Sequence, residues 1–187
     1  LAEQWGQRLM AMPSSDTNLM FLLDNFARFA PFIRLMGHRD FNGSPAHLVD
    51  KAQCYDLLTA KLPEMMPTSV RCAAAKDIDA AVEAVTYPAV YKPAVKDYGQ
   101  TFYTAHDGKK AIECGDADGL RQALKAEVAA GFDLVVQDKI WFESAQDEIP
   151  FYLYAGEDGK IQMAANGIKE EIYPPPFGTA IVLRFEW

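Results

Sequence analysis

Three cysteines in 187 residues, Cys54, Cys72 and Cys114, are too few and too unevenly spaced for a disulfide framework, and no CxxC pair occurs. His38, His47 and His106 fall at no metal-ligand spacing with them, which argues against a zinc site built from these residues. Positive charge is scarce as well. Eighteen Lys and Arg stand against 26 Asp and Glu, a formal net charge of -8, and a nucleic-acid partner needs the opposite balance. A local basic patch for a small anion stays open. No apolar run approaches the ~20 residues of a membrane span. No basic segment leading into an apolar one opens the chain, so neither a span nor a secretory signal is expected. Reduced thiols without a signal point to the cytoplasm.

Half the residues are hydrophobic and 24% are charged, the composition of a folded chain of one domain or two small lobes. It begins at Leu1 without Met and stops in the apolar-rich run 180–187, so it reads as a piece of something longer.

Residues 9–12 suggest a short buried strand, closed by Pro13-Ser14-Ser15-Asp16. Asp16 or Thr17 is expected to cap a helix carrying Leu19, Leu22, Leu23, Phe26 and Phe29 at helical spacing. Residues 31–43 read as an irregular connection. Ser44 and Pro45 suit the N-cap and first position of a second helix, with Leu48, Ala52, Tyr55, Leu58 and Leu62 on its apolar face and Pro63 at its end. A short helix is expected over 77–85. Strands are then expected over 89–92, 101–105 and 110–114, the last two joined as a hairpin by His106-Asp107-Gly108. Asp116 or Asp118 opens a helix that Gly131 stops, a strand covers 134–137, and a hairpin turns about 156–159.

Several positions carry possible chemistry. Lys92 sits in the apolar strand Val90-Tyr91-Lys92-Pro93-Ala94, where an ammonium must snorkel to water or meet a negative charge such as a phosphate. The loop Lys96-Asp97-Tyr98-Gly99-Gln100 suits an ordinary connection or a cover over phosphates, and it lacks the glycines of a Walker A loop. Lys51 follows Asp50 on the second helix, where a solvated lysine is ordinary. Gln137-Asp138-Lys139-Ile140 ends a strand, either as a plain linker or as a hinge whose backbone reads an adenine edge. Tyr173-Pro174-Pro175-Pro176-Phe177 is stiff enough to wall a pocket, with a polyproline ligand as the rival reading. No Ser/His/Asp or Cys/His arrangement stands out.

In order, these segments resemble the ATP-grasp superfamily. Asp50-Lys51 with Met66-Pro67-Thr68 is similar to its "DK … P-T" opening, and Val90-Tyr91-Lys92-Pro93 to its "V-K-P" strand. Val135-Val136-Gln137-Asp138-Lys139-Ile140 resembles "V-V-Q-E-x-I". Ile168-Lys169 through Gly178-Thr179 resembles the "K-x-R-x-Y-P-P-x-F-G-T" run of predicted ATP-dependent carboxylate–amine ligases. The resemblance implies an α+β, partial ATP-grasp fold: the tail of a Rossmann-like pre-grasp domain (1–43), a linking helix (44–66), a lid lobe (67–140) and the start of the second sheet lobe (141–187).

It also implies site residues. Lys51 and Lys92 would bind the α- and β-phosphates of ATP, and Lys96, Tyr98 and Gly99 would close over the triphosphate. Gln137 would reach the adenine amino group, with backbone at Asp138 and Ile140 on the ring edge. Glu148 would meet the ribose, and Lys169 would serve catalysis by facing the phosphates or an acyl-phosphate. The implied partners are ATP, a small carboxylate and an amine, with magnesium held by a Glu and a Glu-x-Asn expected beyond residue 187. Glu170-Glu171 departs from the family by placing negative charge after Lys169, and the phosphate loop is poorer in glycine than the family's. A non-catalytic module of the same fold is the competing reading.

Overall fold

The computed structural model describes residues 6–35, 49–95, 101–156, 158–175 and 179–186. Strand β1 (Leu9–Ala11) leads into helix α1 (Asp16–Asp24), capped by the Ser15 side chain, which accepts from the Asn18 backbone N–H, rather than by Asp16 or Thr17. The short helix α2 (Phe26–Phe29) follows a break at Asn25. The stretch after Pro31 is not wholly irregular: Ile33–Leu35 forms β2, parallel to β1. A β–helix–β crossover of this kind is the expected way to join parallel neighbours.

Helix α3 (Lys51–Lys61) is capped by Asp50, whose carboxylate accepts from the Gln53 backbone N–H. Ser44 and Pro45 lie outside the described residues. Pro63 starts a single 3₁₀ turn that ends the helical run.

The middle of the chain is a four-stranded antiparallel sheet in the order β3 (Ser69–Cys72), β6 (Leu134–Asp138), β4 (Ala89–Pro93), β5 (Ile112–Cys114). Strand β3 was not expected from the sequence. Helices α4 (Ile78–Ala84) and α6 (Ala117–Ala129) cover one face, with Ile78, Ala81, Val82, Leu120 and Leu124 packed on Cys72, Ala89, Tyr91, Leu134 and Val136. Asp116 caps α6 through the Gly119 N–H. Gly131, at φ +89°, turns the chain out of that helix through a conformation side chains resist.

The hairpin expected over 101–114 is corrected. Residues Thr101–Ala105 form helix α5, which drives Phe102 into the core against Tyr91, His106 and Phe132. Asp107 and Gly108, both at positive φ, end that helix, and the Gly108 N–H bonds the Tyr103 carbonyl.

A second sheet is an antiparallel meander of β7 (Phe151–Ala155), β8 (Ile161–Tyr173) and β9 (Thr179–Glu186). Its β8–β9 register slips between Lys169 and Glu171, a bulge of the sort that re-aims side chains. Pro176, Phe177 and Gly178 lie outside the described residues. Among the described residues no helix is long and apolar enough to cross a membrane.

Candidate functional site

Residues directly opposite each other in an antiparallel sheet project to the same side, and neighbours along a strand alternate. Because Ala89, Tyr91, Leu134 and Val136 face the helices, the other face carries Val90 and Lys92 from β4 with Val135 and Gln137 from β6. Ser69 and Arg71 of β3 and Glu113 of β5 extend it. A polar residue alternates with a valine on each central strand. The structure thus brings Lys92 and Gln137, 45 residues apart in sequence, to one sheet face.

Helix α3 lies against that face. Ala52 and Tyr55 pack on Ala94 and Val135, and the Lys51 N–H donates to the Ala94 carbonyl at 2.9 Å. Lys51 therefore starts its helix beside the end of the strand that carries Lys92. Asp50 is fastened from the sheet side by Arg71 at 3.8 Å. Burial acts to raise its pKa, but the hydrogen bonds from Gln53 and the Arg71 charge outweigh burial and leave it lowered.

Lys92 is the electrostatic anomaly. Its ammonium donates to the Tyr55 hydroxyl at 2.8 Å and sits 5.0 Å from the centre of that ring. Burial pulls its pKa down to about 8, against an opposing pull from the Glu148 charge. Glu148, at the end of the 3₁₀ turn Ala145–Asp147, is ion-paired with Lys169 of β8. Lys169 is itself largely buried, with 16% of its side chain exposed. Glu148 thus pairs with a lysine of the second sheet while its charge also acts on a lysine of the first.

The glutamate after Lys169 is not left as free negative charge. Glu170 accepts from Arg184 at 2.6 Å and from Gln146 at 3.1 Å. The Glu170 half of the departure noted in the sequence is locally compensated.

Gln137 is 6% exposed, and among the described residues nothing hydrogen-bonds its side-chain amide. A buried amide without a partner costs about 1–3 kcal/mol, so it marks a place where a polar ligand atom fits. Asp138 is differently employed. Its carboxylate accepts from the Thr86 N–H and hydroxyl at 2.7 and 3.0 Å, and its own N–H donates to the Thr68 carbonyl. These bonds fasten the end of β6 to the loop before β4 and use the backbone N–H that an adenine edge would need.

Beyond it, Lys139 pairs with Glu113 at 2.9 Å and lies 4.1 Å from the centre of the Trp141 ring, while Ile140 is exposed. Lys96, Tyr98 and Gly99 lie outside the described residues.

Tyr55, Glu113, Lys139 and Trp141 are the participants the sequence did not single out. Tyr55 had a signal: it stands four residues after Lys51, one helical turn along the same side of α3.

No protein-family model matches the sequence, and no curated protein matches it. Solved structures do match. One is a RimK-domain ATP-grasp protein from Sphaerobacter thermophilus, at 17% identity and a TM-score of 0.49, over 77% of this chain and 49% of that one. Another is the ADP complex of purK, an N5-carboxyaminoimidazole ribonucleotide synthetase, at 12% identity and a TM-score of 0.51, over 89% of this chain and 49% of that one. The second likeness is one of fold, and it makes this α+β arrangement a partial ATP-grasp fold. The chain spans about half the length of the solved structures it matches.

Proposed function

We propose that the chain is the ATP-binding part of a cytoplasmic ligase that activates a carboxylate as an acyl-phosphate for attack by an amine. The observation that carries this reading is that Glu148, ion-paired with Lys169 of one sheet, also acts by its charge on the buried Lys92 of another. Two largely buried cations set against one carboxylate retain net positive charge, in a chain whose overall charge is -8. Anions of high charge density are drawn to such a point.

A nucleoside triphosphate fits the donor set. Lys92 and Lys51, whose backbone N–H bonds the Ala94 carbonyl two residues past Lys92, would neutralise the α- and β-phosphates, and Lys169 would hold the transferring phosphoryl group from the opposite lobe. The Gln137 amide, without a partner among the described residues, would take up the adenine amino group, with the Ile140 backbone nearby. Asp138 would contribute only its carbonyl, since its N–H and carboxylate are engaged. Glu148 would have to exchange its contact with Lys169 for the ribose. Lys96, Tyr98 and Gly99 would close over the triphosphate. Residues 67–140 would then act as the lid and 141–187 as the facing lobe.

In the reaction a carboxylate oxygen attacks the γ-phosphorus and ADP departs. An amine nitrogen then attacks the acyl carbon, phosphate leaves with the P–O–C oxygen, and the amine loses a proton. Carboxylates resist direct attack because their charge is delocalised, and phosphorylation supplies the leaving group. The residues of this chain contribute positioning and charge neutralisation. Among the described residues no group of three His, Cys, Asp or Glu side chains could hold a metal ion, so the ligands of any magnesium would lie outside them.

Isothermal titration of ATP into the wild-type chain, Lys92→Ala and Lys169→Ala tests the reading. Each lost charge-assisted contact should weaken binding roughly ten- to hundredfold. Equal heats from all three proteins would remove the site.

A further inference from the structure

We propose that Tyr55 is a ligand-binding residue of the same anion site: it holds the Lys92 ammonium in place and donates its own hydroxyl proton to the oxyanion that Lys92 binds. The inference rests on the nucleotide-binding reading above and adds to it a residue on a different element, helix α3.

The direction of the contact carries the argument. An ammonium can only donate, so in the 2.8 Å Lys92–Tyr55 contact the phenol oxygen must accept. The phenol proton is then left over, and among the described residues no acceptor takes it. Burial raises the Tyr55 pKa, so the group stays a phenol, and a donor, at neutral pH.

The Lys92 ammonium likewise has N–H bonds beyond the one spent on Tyr55. Its neighbouring carboxylate, Glu148, acts on it through charge and is already paired with Lys169. Among the described residues, therefore, unspent donors on Lys92 and the unspent O–H of Tyr55 lie within one hydrogen-bond length of each other. A tetrahedral phosphate, with several oxygens around one centre, satisfies adjacent donors of this kind; a neutral ligand leaves one of them without charge compensation.

The ring cannot easily turn away from this arrangement. Tyr55 packs with Ala52 on Ala94 and Val135, and its face lies alongside the ammonium. The helix position is fixed in turn by the Asp50 cap and by the Lys51 N–H bond to Ala94. Pre-setting of this kind lowers the ordering cost that a flexible lysine would otherwise meet when it binds phosphate.

The test uses the whole chain and two probes, inorganic tripolyphosphate and adenosine, titrated into wild type, Tyr55→Phe and Lys92→Ala. Tyr55→Phe keeps the ring and its packing and removes only the hydroxyl. Tripolyphosphate binding should weaken about tenfold in Tyr55→Phe, the usual scale for one hydrogen bond to a charged group, with adenosine binding unchanged. Tripolyphosphate binding equal to wild type in Tyr55→Phe, with Lys92→Ala defective, would overturn the role of Tyr55 and leave the site standing. Equal loss of both probes would reduce Tyr55 to a structural residue.

Tripolyphosphate binding that ignores Lys92→Ala would overturn the nucleotide site and this inference with it. Should Tyr55→Phe not fold, the ¹³C shift of the Tyr55 ring carbon that bears the hydroxyl reports the same bond in the wild-type chain. It should move on adding tripolyphosphate and stay still with adenosine, and a still signal in both would overturn the proposal.

Discussion

Replacing Lys92 by methionine should make the ligand-free chain more stable while removing its hold on triphosphate. The lysine pKa falls from 10.5 to about 8 because the ammonium is buried. That gap corresponds to about 3 kcal/mol of penalty on the charged form at neutral pH, at roughly 1.36 kcal/mol per pH unit. Against it stands the 2.8 Å bond to Tyr55, whose loss costs about 1–2 kcal/mol. Methionine keeps most of the aliphatic stem that packs in the site.

The net expectation is a gain of about 1–2 kcal/mol at pH 7, or a few degrees in Tm at about 2–4 °C per kcal/mol for a chain of this size. The sign reverses with pH. A lysine with a depressed folded pKa carries its full penalty below pH 8. Between pH 8 and 10.5 the unfolded chain binds the extra proton, so wild-type stability rises relative to the methionine variant. Urea unfolding of both proteins at pH 7 and pH 10, followed by tryptophan fluorescence, measures the difference with all other titrations cancelled. A methionine variant less stable at pH 7, or a gap that does not move with pH, would refute the desolvation argument.

Other consequences are smaller. Asp138→Ala should cost about 1–2 kcal/mol by unpairing Thr86. Burial acts to raise the Asp138 pKa, but the hydrogen bonds from Thr86 and Thr68 outweigh burial and leave it lowered. Its contribution should therefore be full above about pH 4 and fade as pH falls through the folded value, as acid titrations of wild type and variant would reveal. Cys72, fully buried and pushed up to about 11 by burial and nearby acids, should resist alkylation until the chain unfolds, whereas the partly exposed Cys54 should label in the native state. Gln137→Leu should stabilise the ligand-free chain by removing a buried amide that has no partner among the described residues, and weaken adenosine more than tripolyphosphate, as melting and the two titrations would report.

What could be read from the sequence was local or anomalous. Strands β4 and β6 announced themselves as short apolar runs, and Asp116 and Gly131 marked the ends of α6. Lys92 stood out because a charge in such a run needs a reason. Thr101-Phe102-Tyr103-Thr104 misled, since aromatic and β-branched residues favour strands. The helix prevails there because it delivers Phe102 to 2% exposure in the core, a gain only the tertiary structure reveals.

Strand β3 was hidden for a related reason. Ser69-Val70-Arg71-Cys72 is short, lies at the sheet edge, and is defined by its pairing with β6 more than 60 residues later. The convergence at the site was hidden too. Tyr55 sits in an ordinary helical apolar pattern, and only the packing of α3 on Ala94 and Val135 turns its hydroxyl into the partner of Lys92.

The central claim is that Lys92, Lys169 and Gln137 serve one nucleotide. A crystal structure of the chain with a non-hydrolysable ATP analogue tests it most directly. The account predicts phosphates between Lys92 and Lys169, adenine against the Gln137 amide, and Glu148 parted from Lys169. A nucleotide bound elsewhere, or bound with the Lys169–Glu148 pair closed and Gln137 untouched, would contradict it.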